Sequence, residues 1–529
     1  MSIDVAIRRL LNFFIVMFVG ITLMLVYWQV AQAHDLSASA YNPRHCTVGA
    51  IPKRGSIFDR NGVMLAYSEV DPKSVCGWRR HYATAQHPSI SSIVGYFSYT
   101  YGATGIEQYY NDVLNGTTDP QNFDNAFNQY WNGLLHRPVF GSDIYLTIDV
   151  RIQDEIDKVF PNQVTGGVCT SGSDKGSIVV SDPRTGEMLG MVSKPYFDAD
   201  RIGNTAPSTD DPTMTDGDAY WKTISTDNVN TPLVNRAIQG QYAPGSSFKT
   251  LTLIAALDSG TYSSSSTFNQ ADASNYVVNG FHVDSNNLID YAQGPVPPFF
   301  PMDLAHAYAY SDNVVFARVG NKIGASTWLD YARRFYLSTP DQKLDNPIDY
   351  APTSRNYIYK TGTLDPVSLA VSAYGQGQLG VSPLTMTMIS NAVADGGLLA
   401  QPHFLQKVVP HDANPGDIGT YDFGAPTRVF SGQTASVVQQ SMRDVVTFGS
   451  VGASGGTIAA IRNSSAQIGG KTGTAQLGDG NPHAWFISIA PYNGNPSQMT
   501  TVIMKERGGE GACQAPIARQ VFEFALPLK

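Results

Sequence analysis

The sequence predicts an α+β protein: an antiparallel sheet covered by helices, carried behind an N-terminal membrane anchor and a small mixed N-terminal domain. Three observations lead there. Leu10 to Val30 is a nearly continuous apolar run. Strand-like stretches stand at both ends of the C-terminal part of the chain, and helical patterns dominate between them, from Phe248 to about Ser390. Strands at both ends with helices between imply one antiparallel sheet with helices packed on it.

The apolar run is broken only by Asn12, Gly20, Thr22 and Gln29, and at about 20 residues it can span a bilayer as a helix. Arg8 and Arg9 precede it, which favours residues 1–9 inside the cell and the remainder outside. Ala31-Gln32-Ala33 resembles a signal-peptidase site, but the run exceeds the usual signal-peptide core. An uncleaved anchor over 10–30 is therefore expected, with cleavage after Ala33 as the alternative. Residues 31–140 read as a small mixed domain of short strands and turns. The larger domain spans 141–529. Gly176–Ser181 and Met188–Val192 flank an Asp182–Gly186 turn and predict a hairpin. Residues 199–220, rich in Asp, Thr, Gly and Pro, predict a long mobile loop. Strands are expected near Lys471–Gln476, Ala484–Ala490 and Met499–Met504, with a final helix near Pro516–Phe522. No internal repeat is visible.

The net charge is −9 and no basic block exists, so nucleic-acid binding is not expected. Four cysteines, Cys46, Cys76, Cys169 and Cys513, fall on the outer side of the anchor, where oxidation is possible. Their spacing suits no metal site, and no cofactor is expected. Cys46–Cys76 with Cys169–Cys513 is one of three pairings; free buried thiols fit equally well.

The chemistry is carried by Ser246-Ser247-Phe248-Lys249. Lys249 is the only lysine of the chain with a serine or threonine three places before it. On a helix that spacing puts hydroxyl and amine on one face, one turn apart, where a neutral lysine can take the serine proton and make a nucleophile. Pro244-Gly245 turns the chain just before Ser246, and an apolar helix follows to Leu257. Ser246 is thus expected at a helix N-terminus, where backbone N–H groups face whatever it attacks.

Ser311-Asp312-Asn313 and Lys471-Thr472-Gly473 supply two further elements. Neither tripeptide is specific alone: Ser285-Asn286-Asn287 and Ser354-Arg355-Asn356 also fit the first, and Lys360-Thr361-Gly362 fits the second. Their surroundings decide. Ser311 lies between apolar, helical stretches, whereas Ser285 and Ser354 lie in polar, loop-like sequence. Lys471 opens a small-residue strand, whereas Leu364-Asp365-Pro366 stops any strand after Lys360.

Serine-x-x-lysine, serine-aspartate-asparagine and lysine-threonine-glycine in this order mark penicillin-binding proteins and class A β-lactamases. The chain resembles the class B penicillin-binding proteins, the monofunctional peptidoglycan transpeptidases, over nearly its whole length. Arg54 to Gly62 with Leu65-Ala66 looks like the family's membrane-proximal signature. Gly105-Ile106-Glu107, Tyr109 and Leu114-Asn115-Gly116 resemble the segment closing that pedestal or dimerisation-type domain. Leu146–Asp149 and Asp182–Glu187 are similar to the start of its catalytic domain, and Tyr374–Gly377 with Ser382-Pro383-Leu384 to its later helix-and-loop segment.

The resemblance implies a penicillin-binding transpeptidase, serine β-lactamase-like fold and a serine acyl-enzyme cross-linking peptidoglycan stem peptides, inhibited covalently by β-lactams. It implies Ser246 as nucleophile, Lys249 as base, its pKa lowered by Lys471, and Ser311 as proton relay. Asn313 would bind the substrate amide, and Lys471, Thr472 and Thr474 the terminal carboxylate. Gly473 would belong to the same substrate-binding stretch, and the backbone N–H groups of Ser246 and Thr474 would form the oxyanion hole. No segment ahead of residue 140 resembles a sugar polymerase, so a membrane glycosyltransferase is the expected partner. No glutamate lies between Ser246 and Lys505, whereas a class A β-lactamase needs one to activate the deacylating water; slow hydrolysis and amine transfer are expected. The competing readings are a D,D-carboxypeptidase using the same site and a β-lactam-binding sensor or scaffold.

Overall fold

The computed structural model describes residues 3–28, 53–74, 77–116, 140–162, 169, 173–283, 298–411, 421–451, 454, 456–478, 480–494 and 496–529. Its central sheet runs in the order Gly469–Ala475, His483–Ala490, Met499–Lys505, Gly176–Ser181, Met188–Lys194, with every neighbour antiparallel. Lys471 pairs with Ile487, and Val502 with both Ile487 and Val179. These strands are buried almost without interruption. That explains their continuous apolar runs, because a sheet covered on both faces has no polar side to alternate with. Helix Pro383–Ala394, every residue of it buried, packs on three of the strands. It starts where Ser382 Oγ accepts from Thr385 N and proline takes the first turn, where its missing N–H costs nothing. The expected final helix is Ala515–Ala525.

Two expectations are corrected. Residues 199–220 are not one long mobile loop: they contain helix Ala199–Ile202 and the start of helix Asp216–Thr226. The aspartates and threonines that suggested a loop cap these helices, Asp198 accepting from Asp200 N and Thr215 from Asp218 N. Arg201 and Asn204 hold Asp216 at 2.7 Å and 3.0 Å. Helical structure also does not end near Ser390. Helix Gly432–Thr447 intervenes before the last strands, burying Ala435, Val438, Met442 and Val445, a stripe at three- and four-residue spacing diluted by Gln and Ser.

A second five-stranded sheet has the order Leu405–Val409, Asp143–Leu146, Ile57–Phe58, Met64–Val70, Trp78–Tyr82. Strands from both sides of residue 140 thus share one sheet. Asp59 fixes its first turn, accepting from Asn61 N and Val63 N at 2.8 Å each. Beneath it Glu107 is fully buried and binds Arg54 Nε at 2.6 Å and Arg80 Nε at 2.7 Å.

Cys169 and Cys513 form a disulfide, their Cα atoms 5.8 Å apart; Cys46 and Cys76 lie outside the described residues, as does Ala31–Ala33. Helix Ile3–Val26 is the N-terminal apolar segment. Within it Arg9–Val26, with a mean hydropathy of 2.2 and none of it buried, is long and apolar enough to cross a membrane.

Candidate active site

Three chain segments converge on Ser246. The first is the short turn Gly245–Phe248 leading into helix Lys249–Asp258, whose buried apolar side chains root it in the core. Gly245 has φ +56°, and a Cβ there would stand 2.8 Å from the backbone of Thr474. Across the same contact a Cβ at Gly473 would stand 2.5 Å from Pro244 O. Only glycines allow the nucleophile turn and the Lys471 strand to come this close.

The second segment is Ser311-Asp312-Asn313, between helices Leu304–Ala309 and Asn313–Ile323. Asp312 caps the second helix, its Oδ1 accepting from Val315 N at 3.0 Å. Ser311 has φ +63°, a left-handed conformation costly for a residue with a Cβ and characteristic of functional turns. The third segment is strand Gly469–Ala475, carrying Lys471.

Lys249 Nζ lies 2.7 Å from Ser246 Oγ, 2.9 Å from Ser311 O, 3.2 Å from Ser311 Oγ and 2.7 Å from Asn313 Oδ1. Lys471 Nζ donates to Ser311 Oγ at 2.9 Å and to Thr472 O at 3.2 Å. Ser311 Oγ therefore bridges two lysines, both fully buried. Burial lowers the Lys249 pKa to about 7, with Asp312 opposing. Lys471 is held well below its usual range, first by burial and then by Lys249. Burial is the first cause for both lysines, and the mutual repulsion of two ammonium groups joined through Ser311 Oγ acts in the same direction. Asp312, the carboxylate that opposes the depression of Lys249, is itself pushed up to about 6 by burial.

The remaining expected residues lie at the same junction. Asn313 commits its carbonyl oxygen to Lys249. Thr472 is buried, its hydroxyl 2.8 Å from that of Ser450. Thr474 Oγ1 donates to Glu510 Oε2 at 2.8 Å and accepts from Gly511 N at 3.2 Å. The alternatives lie elsewhere. Lys360 is exposed and sits 4.2 Å above the Tyr357 ring. Asn356 is buried in bonds to Asn346, Thr385 and Ser382. Ser285 falls outside the described residues.

Sequence reasoning missed Ser450, Gln376, whose Nε2 approaches Thr474 O at 3.4 Å, and Glu510. For Glu510 a signal existed: it is a lone acid in Gly508-Gly509-Glu510-Gly511, directly after a core strand. The stretch from Ser246 to Lys505 holds no glutamate, yet the fold brings one from just beyond it to Thr474.

The penicillin binding protein transpeptidase domain family matches residues 176–523, and the penicillin binding protein A dimerisation domain family matches residues 54–133. The peptidoglycan D,D-transpeptidase PbpA of Mycolicibacterium smegmatis is 28% identical over 507 residues, 94% of each chain. The peptidoglycan D,D-transpeptidase MrdA of Haemophilus influenzae is 27% identical over 448 residues, covering 80% of this chain and 63% of its own. Among solved structures, the penicillin G acyl-enzyme of penicillin-binding protein A from M. tuberculosis superposes with a TM-score of 0.70 at 26% identity, covering 90% of this chain and all of its own. With the three motif segments gathered at one junction and the transpeptidase family matched over well more than half of its residues, the chain belongs to the penicillin-binding protein transpeptidase family, of class B type.

Proposed function

We propose that the protein is a membrane-anchored peptidoglycan D,D-transpeptidase that works through an acyl-enzyme on Ser246. The observation that carries this reading is the chain Ser246–Lys249–Ser311–Lys471, buried from Lys249 onward, with every link between 2.7 and 3.2 Å. At neutral pH a lysine with a pKa of about 7 is neutral in a substantial fraction of molecules. Neutral Lys249 takes the Ser246 proton as Oγ attacks the penultimate D-alanine carbonyl. The oxyanion would be held by the backbone N–H groups of Ser246 and Thr474, preorganised donors of the kind that dominate acyl-transfer catalysis. Collapse breaks the carbon–nitrogen bond, and the proton passes from Lys249 through Ser311 to the departing D-alanine amine. The substrate carboxylate, which Thr474 binds, favours the protonated form of Lys471, so that positive charge stands near it. An amine from a neighbouring stem peptide then attacks the ester and releases Ser246.

The apolar helix near the N-terminus supports a single-pass anchor in the bacterial cytoplasmic membrane with the catalytic domain outside the cytoplasm. The matched families supply cross-linking and dimerisation domains, so polymerised strands would come from a membrane glycosyltransferase partner. The test is a purified-enzyme assay with a defined D-alanyl-D-alanine stem peptide, with and without an amine acceptor. Transfer product supports the transpeptidase; hydrolysis alone, with acceptor present, favours a carboxypeptidase. Absence of labelling by penicillin would favour a scaffold.

A further inference from the structure

Glu510 stands in a turn pressed against the Lys471 strand: a Cβ added at Gly511 would meet the backbone of Gly473. Its carboxylate accepts the Thr474 hydroxyl at 2.8 Å while the carboxylate itself is exposed to solvent. The transpeptidase reading assigns that same hydroxyl to the terminal carboxylate of the donor peptide. A threonine hydroxyl has one proton to donate, so two carboxylates claim one donor. The donor peptide must therefore displace Glu510, and departure of D-alanine, carrying its carboxylate away, returns Glu510 to Thr474. The acceptor amine enters where the D-alanine amine left, by microscopic reversibility, beside Ser311, whose hydroxyl is held by Lys471 of the strand that also carries Thr474.

We propose that Glu510 is the acceptor-side base: it draws in the ammonium group of the acceptor stem and removes one proton from it. The inference rests on the transpeptidase reading. The acceptor arrives as R–NH3+, and one proton passes to a Glu510 carboxylate oxygen, leaving R–NH2. The nitrogen lone pair forms the new bond to the acyl carbon while the bond to Ser246 Oγ breaks. The second proton travels through Lys249 to Ser246 Oγ. Protonated Glu510, being exposed, returns its proton to water. The residue thus favours a cationic nucleophile over a neutral one, a preference that the serine–lysine chain alone does not supply.

The experiment compares wild type, Glu510→Gln and Glu510→Asp in the full chain. A thioester donor acylates the enzyme, and glycinamide (cationic) or methanol (neutral) serves as acceptor. Glu510→Gln is expected to lower transfer to glycinamide relative to hydrolysis by about tenfold or more, up to the ~10²–10⁴ of a general base, and to raise the glycinamide concentration for half-saturation. Methanol transfer should be unchanged, acylation by labelled penicillin should be no slower, and Glu510→Asp should recover part of the glycinamide transfer. Glycinamide transfer undiminished in Glu510→Gln overturns the proposal, as does an equal fall with both acceptors, which would mark a merely structural effect. A wild-type enzyme that only hydrolyses overturns the transpeptidase reading, and this inference with it.

Discussion

Two of the buried clusters of charge among the described residues are built on opposite plans. Under the second sheet, Glu107 receives Arg54 and Arg80, and Tyr82 OH lies 3.1 Å from the same carboxylate. The arginines use further N–H groups on Asn111, Asn115, Gly55 O and Ser68. Burial works to raise the Glu107 pKa, but the two guanidinium groups outweigh it and hold the carboxyl below its usual range. At the active site two lysines share one serine hydroxyl, and Asp312, the carboxylate acting on Lys249, is raised to about 6. Where each charge has a partner, the charge is fixed and the cluster is structural. Where burial is left uncompensated, the proton becomes easy to remove, and the cluster can carry chemistry.

The contrast can be tested, beginning with the largest effect. Ser246→Ala should abolish covalent labelling by penicillin while leaving the thermal unfolding midpoint nearly unchanged, since only a hydroxyl is lost; a band of undiminished intensity would mean another nucleophile. Lys249→Ala should slow acylation by about 10²–10⁴, read by stopped-flow mixing with a reporter β-lactam. Glu107→Ala should do the reverse, leaving two buried arginines uncompensated at a cost of about 3–5 kcal/mol. Its midpoint in urea should fall steeply while the Ser246–Lys249 pair stays intact. A mild loss there would mean that the paired cluster is as adaptable as the unpaired one. Wild-type acylation should depend on pH with a definite sign. Lys249 acts when neutral, so the rate levels off above pH about 7 and falls roughly tenfold per unit below it; a rate that rises on acidification would exclude Lys249 as the base. Smallest of all, Lys360→Ala should leave labelling unchanged, whereas Lys471→Ala should impair it.

The parts of the site legible in the sequence were those fixed by local spacing. Ser246 and Lys249 must lie one helical turn apart, and Lys471 had to open a strand, which separated it from Lys360. The central sheet was legible for a similar reason, since strands buried on both faces leave uninterrupted apolar runs. What escaped notice depends on approach through space. Glu510 reaches Thr474 only because the strand carrying Lys505 runs beside its neighbour for seven paired residues. The pairing of Arg54 and Arg80 on Glu107 joins residues 53 and 27 positions apart. The largest cause of the depressed Lys249 pKa, its burial, could not be read either, because burial belongs to the folded surroundings and not to any neighbour in the chain. Residues 199–220 misled for another reason: aspartate and threonine serve loops and helix caps alike.

The sheet that joins strands from both sides of residue 140 bears on how the enzyme can be cut into pieces. Asp143–Leu146 is hydrogen-bonded on one side to Leu405–Val409 and on the other, in parallel, to Ile57–Phe58. A fragment beginning at residue 141 would keep the first pairing and lose the second. Its Asp143–Leu146 strand, with Ile144 and Leu146 otherwise fully buried, would become an open apolar edge, the kind of template on which separate chains stack and aggregate. A soluble version for crystallisation or inhibitor screening is therefore better truncated between the apolar helix and Lys53 than at the start of the catalytic half.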